Sequence, residues 1–256
     1  KGLNKRTARE KKFLNNIPQN TEIRKTASAV RASRIAAVKN ASTVQNAYPL
    51  TGSPKSLVIL VNFSDKSFVT ANPQAAFHNL LNQEGYSANG GTGSARDYFS
   101  DASNGAFAPV FDVVGPYTLK NNMAFYGENL SGGDKNPRQM IIDACALADA
   151  NGVDFTQYDT DNDGYIDNIF IYYAGNNAAE GGPDNTIWPH RWVLANTSTK
   201  FDNKIVYDYA CTSELRGSAG SNMCGIGTFC HEFGHVLGLP DYYATDNATH
   251  HTLLSW

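Results

Sequence analysis

The chain has little that would tie it to a membrane or to a simple redox or zinc-ribbon motif. No apolar run approaches the roughly 18 residues that crossing a bilayer needs. The longest, Ser56 to Phe63, has the length of a buried strand. The four cysteines, Cys145, Cys211, Cys224 and Cys230, show no CxxC spacing, which argues against a zinc ribbon or a dithiol redox pair. Cys211 with Cys224 would close a short loop, and buried free thiols are the equal alternative. The first residues lack a charged segment followed by an apolar one, so no export signal is expected within the chain as given.

Acidic residues are nearly missing from one region. Residues 1 to 55 hold 12 of the 21 Lys+Arg but only 2 of the 24 Asp+Glu, Glu10 and Glu22. The remainder is therefore strongly acidic although the whole carries only −3. A basic arm on an acidic body has a partner of opposite charge within the chain, so nucleic-acid binding is not expected. The arm is poor in aromatics, with short helical stretches such as Thr26 to Val44, and reads as an extension outside the core. Composition changes after Pro49, Gly52 and Pro54, which places the boundary between residues 55 and 56. The arm reads either as a prosegment held by its charge or as a linker.

From residue 56 onward, strand-like and helix-like segments alternate. Ser56–Phe63 is a strand, Pro73–Asn82 and Ser94–Ala102 are helices flanking a Gly-rich loop at Gly85–Gly93, and Ala106–Val114 tends to β. Pro137–Ala150 carries Met140, Ile141, Ala144, Leu147 and Ala148 at helical intervals, and Ile166–Ala174 is a further strand. Thr197–Asn222 reads as loop with one strand near Lys204–Tyr209. This order predicts an α/β or α+β domain, a twisted sheet backed by helices.

The chemistry concentrates near the C-terminal end. A helix starting near Gly225 spaces Ile226, Phe229, Phe233 and Val236 as one apolar stripe. At about 100° per residue, His231 and His235 share the opposite side. Two imidazoles one turn apart can both reach one Zn²⁺ at about 2.0–2.1 Å, and Glu232 between them is the candidate general base for a metal-activated water. Gly238 allows a sharp turn and Pro240 stops the helix, which can return Asp241 to the metal as an oxygen ligand. His250 and His251 are the other candidates for that place. His190, Tyr242 and Tyr243 are secondary candidates for the cleft, each with packing as its plainer role.

A second constellation, Asp159-x-Asp161-x-Asp163-Gly164-Tyr165-x-Asp167, follows the spacing of an EF-hand loop, with carboxylates at positions 1, 3, 5 and 9 and Tyr165 at position 7. Phe170 stands where the bidentate Glu belongs, so the expectation is a shortened Ca²⁺ loop entering a strand, against an Asp/Asn-rich turn without metal.

The run His231-Glu232-x-x-His235-x-x-Gly238-x-x-Asp241 looks like the metzincin signature with Asp as third ligand. With Leu237-Gly238-Leu239-Pro240-Asp241-Tyr242 it resembles the immune inhibitor A family of secreted bacterial metallopeptidases, as do the Asp-Gly loop, Ala174-Gly175 and Trp188-Pro189-His190. The resemblance covers about residues 56 to 256. It implies a metzincin-like zincin catalytic domain preceded by an extension, zinc as cofactor with calcium beside it, protein or peptide substrates, a prosegment, and a secreted or cell-surface location. In metzincin-like domains one strand by the cleft binds the substrate backbone, and the sequence does not say which. Those domains also carry a Met-containing turn after the third ligand. No Met follows Asp241 here, so the domain is expected to be C-terminally incomplete, with Thr252–Trp256 resembling the approach to that turn. The rival readings are a non-catalytic extracellular calcium-binding module whose zinc helix is a relic, and a zinc hydrolase acting on a non-peptide bond.

Overall fold

The computed structural model describes residues 48–130, 133–194 and 198–240. Expectations for the basic arm up to residue 47, and for Asp241, Tyr242, Tyr243, His250, His251 and the final Thr252–Trp256, lie outside these residues.

The chain runs β1 (Lys55–Asn62), α1 (Pro73–Asn82), α2 (Ala95–Ala102), β2 (Val110–Thr118), α3 (Met123–Gly127), β3 (Asn129–Leu130), β4 (Gly133–Asp134) and α4 (Pro137–Ala150). It continues through β5 (Ile169–Tyr173), β6 (His190–Val193), β7 (Lys200–Phe201), β8 (Lys204–Ile205), β9 (Asp208–Ser213) and α5 (Gly227–Val236). Five strands form the main sheet in the order β2-β1-β5-β9-β6. The first four are parallel, and β6 joins β9 antiparallel at the edge. The mixed α/β expectation therefore holds.

The local chemistry explains the elements. Pro73 and Pro137 open α1 and α4 at the first turn, where a missing N–H costs nothing. Ser94 and Asp97 close a reciprocal capping box at the start of α2. β1 and β5 are buried on both faces, as parallel strands between helical layers must be, so they read as nearly continuous apolar runs.

Alternation along the strands builds two cores. Ile59, Ile171 and Cys211 face one side with Ile141 and Ala144 of α4. Leu60, Tyr172 and Ala210 face the other with Phe77 of α1 and Phe229 and Phe233 of α5. Phe229 and Phe233 stack at 5.6 Å and both meet Phe111 edge-on, at 5.0 and 5.3 Å. Burying each such ring contributes about 1.5–3 kcal/mol. That contribution fixes the rotation of α5 and so the direction of its polar side. Tyr48 is also buried in this core, its ring 5.0 Å from Phe233, and Gly52 bridges to Phe107.

One expectation is corrected. Within Thr197–Asn222, read as loop with one strand near Lys204–Tyr209, lie the paired β7 and β8 and then β9, which is wholly buried and next to the sheet edge. Its polar residues are buried because remote partners satisfy them. Asp208 receives Asn168 Nδ2 at 2.7 Å and pairs with Arg191, while Ser213 Oγ receives Asn177 Nδ2 at 2.7 Å. All four cysteines are buried and free, so Cys211 and Cys224 are not paired.

Candidate active site

The apolar stripe of α5 lies where the sequence places it. Phe229 and Phe233 are fully buried, and Ile226 and Val236 pack partly against the same core. The opposite face carries His231 and His235, with ring centroids 4.7 Å apart. One ligand atom each from His231, Glu232 and His235 falls within a 4.8 Å cluster. Glu232 is only 5% exposed, with Oε1 3.9 Å from His231 Nε2. Gly238 takes φ 86°, the left-handed conformation that the expected turn needs. The turn lets Leu239 present its carbonyl 2.8 Å from His235 Nδ1. A carbonyl only accepts, so Nδ1 of the neutral ring carries the proton and Nε2 is its acceptor nitrogen. Two imidazoles one turn apart are donors suited to zinc.

The helix face looks into an open cleft of about 660 Å³, bounded across from it by Trp188, His190 and Trp192 and at one end by Asn177 and Glu180. It lies past the C-terminal ends of β5 and β9, where open α/β sheets gather their ligands. The wall strand is β6. Leu194 N–H donates to Tyr207 O at 2.7 Å, so antiparallel alternation turns His190 and Trp192 inward to β9 and the backbone N–H and C=O of Arg191 outward. Arg138 Nε holds the carbonyl of Val193, also on the outer side, at 3.0 Å.

His190 is tied down through both ring nitrogens, Nδ1 to Trp188 O at 2.7 Å and Nε2 to Tyr209 Oη at 3.0 Å. The tryptophans do not clamp it, since Trp188 and Trp192 are 54% and 56% exposed. Burial holds its pKa below the ordinary histidine value, so the ring is neutral near pH 7. Met223 is buried in the core that backs α5.

The acidic loop is assembled as well. Asp159, Asp161 and Asp163 bring one oxygen each within 4.8 Å. Asp159 accepts from the N–H groups of Asp163 and Gly164 at 3.0 and 3.1 Å, and Asp163 accepts from Tyr165 N–H at 2.8 Å. Asp167 turns instead to Thr160, whose hydroxyl and N–H it receives. Burial, reinforced by its three acidic neighbours, pushes Asp167 up to about 7. Phe170 is buried in β5 and offers no ligand. A cation from the chain itself reaches the loop: Lys204 Nζ lies 2.6 Å from Asp159 Oδ2 and 3.3 Å from Asn162 Oδ1. Sequence spacing gave no hint of it.

Comparison with known proteins agrees with the helix. Residues 50–256 match the immune inhibitor A peptidase M6 catalytic domain. The chain belongs to this family. It is 30% identical over 187 residues to immune inhibitor A of Bacillus thuringiensis subsp. alesti, an alignment covering 60% of this chain and 26% of that protein. It is 28% identical over 198 residues to pre-pro-metalloprotease PrtV of Vibrio cholerae serotype O1, covering 65% of this chain and 21% of that protein. The chain thus spans about a quarter of the length of the curated relatives it matches. Membership makes the domain a metallopeptidase by family. Among the described residues no helix is long and apolar enough to cross a membrane.

Proposed function

We propose that this domain is the metzincin-like catalytic unit of a secreted bacterial zinc endopeptidase, with the basic arm ahead of the buried Tyr48 as a removable prosegment, a boundary earlier than the expected 55/56 because Tyr48, Gly52 and Lys55 are built into the domain. The observation that carries the reading is the His231-Glu232-His235 cluster on the polar face of a core-anchored helix, opposite an edge strand with outward backbone groups. Four parallel strands plus an antiparallel edge strand support the fold assignment. The charge contrast of the arm supports the prosegment, as does the word "pre-pro" in the name of the Vibrio relative.

His231 and His235 would hold the zinc through ring nitrogens, with Asp241 as third ligand after the Gly238 turn. Zinc in that place supplies Lewis acidity toward a peptide carbonyl and toward water. The substrate backbone adds to the outer edge of β6, donating to and accepting from Arg191, which fixes the scissile bond over α5. Glu232 takes a proton from the attacking water and delivers it to the departing amine, so water adds across the C–N bond to give a carboxylate and an amine. The near-complete burial of Glu232 favours this role, because a carboxylate kept from bulk water competes less with solvent for that proton. For the Asp159–Asp167 loop we propose calcium, supported by its three converging carboxylates.

Glu232→Gln tests the reading. The variant should retain zinc and lose casein cleavage by about 10²–10⁴-fold. Undiminished cleavage would remove the assignment. Calcium without zinc in metal analysis would favour the non-catalytic module.

A further inference from the structure

The Gly-rich loop between α1 and α2 has no part in the proposed reaction, yet it is built with more care than a connection needs. Gly85 and Ser94 N–H both donate to Asp97 Oδ2 at 2.9 Å, Gly93 N–H donates to Tyr86 O at 2.8 Å, and Gly91 N–H donates to Ala88 O at 2.9 Å. Asn89 and Gly90 take φ 55° and 77°, and Asn89 Nδ2 donates to Tyr86 Oη at 3.2 Å. A Cβ on Gly91 would sit 2.8 Å from Tyr86 Cδ1, so the backbone lies directly on that ring. Such a loop is a wall of fixed shape.

The wall encloses a cavity of about 500 Å³, within the range of ligand sites. Its floor is apolar, with Leu80, Tyr86 and Ile226, and its polar side carries Asp97 and Asp101, one turn apart on α2. Among the described residues no Lys, Arg or His lines it. The cavity shares one wall residue with the candidate active site. Tyr98 borders it and also borders a smaller pocket formed with Cys230, His231 and His235. The cavity meets α5 at its N-cap, Ile226, while the smaller pocket beyond Tyr98 reaches along the helix to Cys230, His231 and His235; Gly227 and Thr228 line the β6 cleft instead.

We propose that this cavity is a substrate subsite for a lysine or arginine side chain, entered past Tyr98. The proposal rests on the endopeptidase reading. A long basic side chain is apolar along its stem and charged at its tip, which matches a floor of Leu80, Tyr86 and Ile226 ending at two carboxylates. The Tyr98 ring at the entrance adds a face for the passing cation. An acidic side chain is repelled there, and an apolar one gains the floor but offers nothing to Asp101.

The test uses fluorogenic peptides that differ at one position, Arg, Lys, Leu or Glu, with the full chain and its Asp101→Asn and Asp101→Lys variants. Asp101 lies outside the reaction machinery, and its side chain is exposed. The unsubstituted chain should favour Arg and Lys over Leu by about tenfold in kcat/KM, Asp101→Asn should remove most of that preference, and Asp101→Lys should invert it. A preference for Leu, or an Arg preference untouched by both variants, overturns the proposal. If no peptide is cleaved, the endopeptidase reading fails separately. Anisotropy with labelled Arg and Leu peptides then decides this inference alone: tighter Arg binding lost in Asp101→Lys sustains it, and equal binding ends it.

Discussion

His235 Nδ1 lies 2.8 Å from the carbonyl oxygen of Leu239, four residues further along a chain that Gly238 has turned at φ 86°. The contact sets the tautomer and the ring plane of the imidazole proposed as a zinc ligand from behind. It depends on a backbone conformation that side chains with a Cβ resist. Gly238→Ala should therefore move the carbonyl and weaken zinc binding about 10- to 100-fold, with about 1–2 kcal/mol lost in stability. A chelator-competition titration reads the affinity. An unchanged zinc affinity in a folded variant would mean that the Leu239 carbonyl does not orient His235.

This relationship also marks how far the sequence could be read. Pro73, Pro137 and the capping pair Ser94 and Asp97 are local signals, and the helices they start end at the expected residues. The stripe of Phe229 and Phe233 is local too, so the direction of His231 and His235 followed from periodicity. The strand expected near Lys204–Tyr209 catches only the start of β9; its continuation and burial were illegible because Asp208, Thr212 and Ser213 look solvent-facing, and Arg191, Asn168 and Asn177, which pair with Asp208 and Ser213, are distant in sequence. Lys204 meets Asp159 from 45 positions away for the same reason. The identity of the wall strand depended on β6 pairing outside β9, and spacing does not encode strand order.

The Arg191–Asp208 pair joins the wall strand to its neighbour and yields a pH-dependent prediction. Burial pushes Asp208 up to about 6 from 3.8, although Arg191 and Asn168 both favour its charged form. Arg191→Met removes the main counter-charge. Below about pH 4 Asp208 is protonated in either state, and the change should cost little. Above its folded value the carboxylate would be buried without its cation, at a cost of about 2–3 kcal/mol, discounted from the range for fully buried pairs because the Arg191 side chain is 35% exposed. Denaturant titrations at pH 4 and pH 8 measure both limits. Equal losses at the two pH values would show that Arg191 contributes packing and not charge.

Asp134 gives a second, independent pH effect. Burial raises it to about 6 from 3.8, against the pull of the Trp188 N–H that its carboxylate accepts. A carboxyl whose folded pKa exceeds its unfolded one stabilises fully below the unfolded value and loses that contribution as pH rises through the folded value. The window here is about pH 4 to 6. Asp134→Asn keeps an acceptor for Trp188 N–H and has no charge to bury. Relative to the unsubstituted protein it should gain about 1 kcal/mol between pH 4 and pH 8, the shift discounted for partial exposure. Thermal melts across that range check it, and parallel curves would refute it.

Calcium at the acidic loop has to compete with a charge the protein already supplies. Lys204 Nζ holds Asp159 Oδ2 at 2.6 Å, and Asp159 is the position-1 ligand of the proposed site. Binding the ion requires the ammonium to leave, so its pairing energy is subtracted from calcium affinity. Lys204→Met removes the competitor and leaves Asp159, Asp161 and Asp163 to repel one another. Without calcium the variant should be less stable than the unsubstituted protein, and the carboxylates should then favour the ion more strongly. Millimolar calcium should raise the melting temperature of Lys204→Met more than that of the parent, following RT ln(1 + [L]/Kd) for a ligand of the native state. If neither protein responds to calcium while Lys204→Met still loses stability, the lysine is the cation of this loop and the calcium assignment falls.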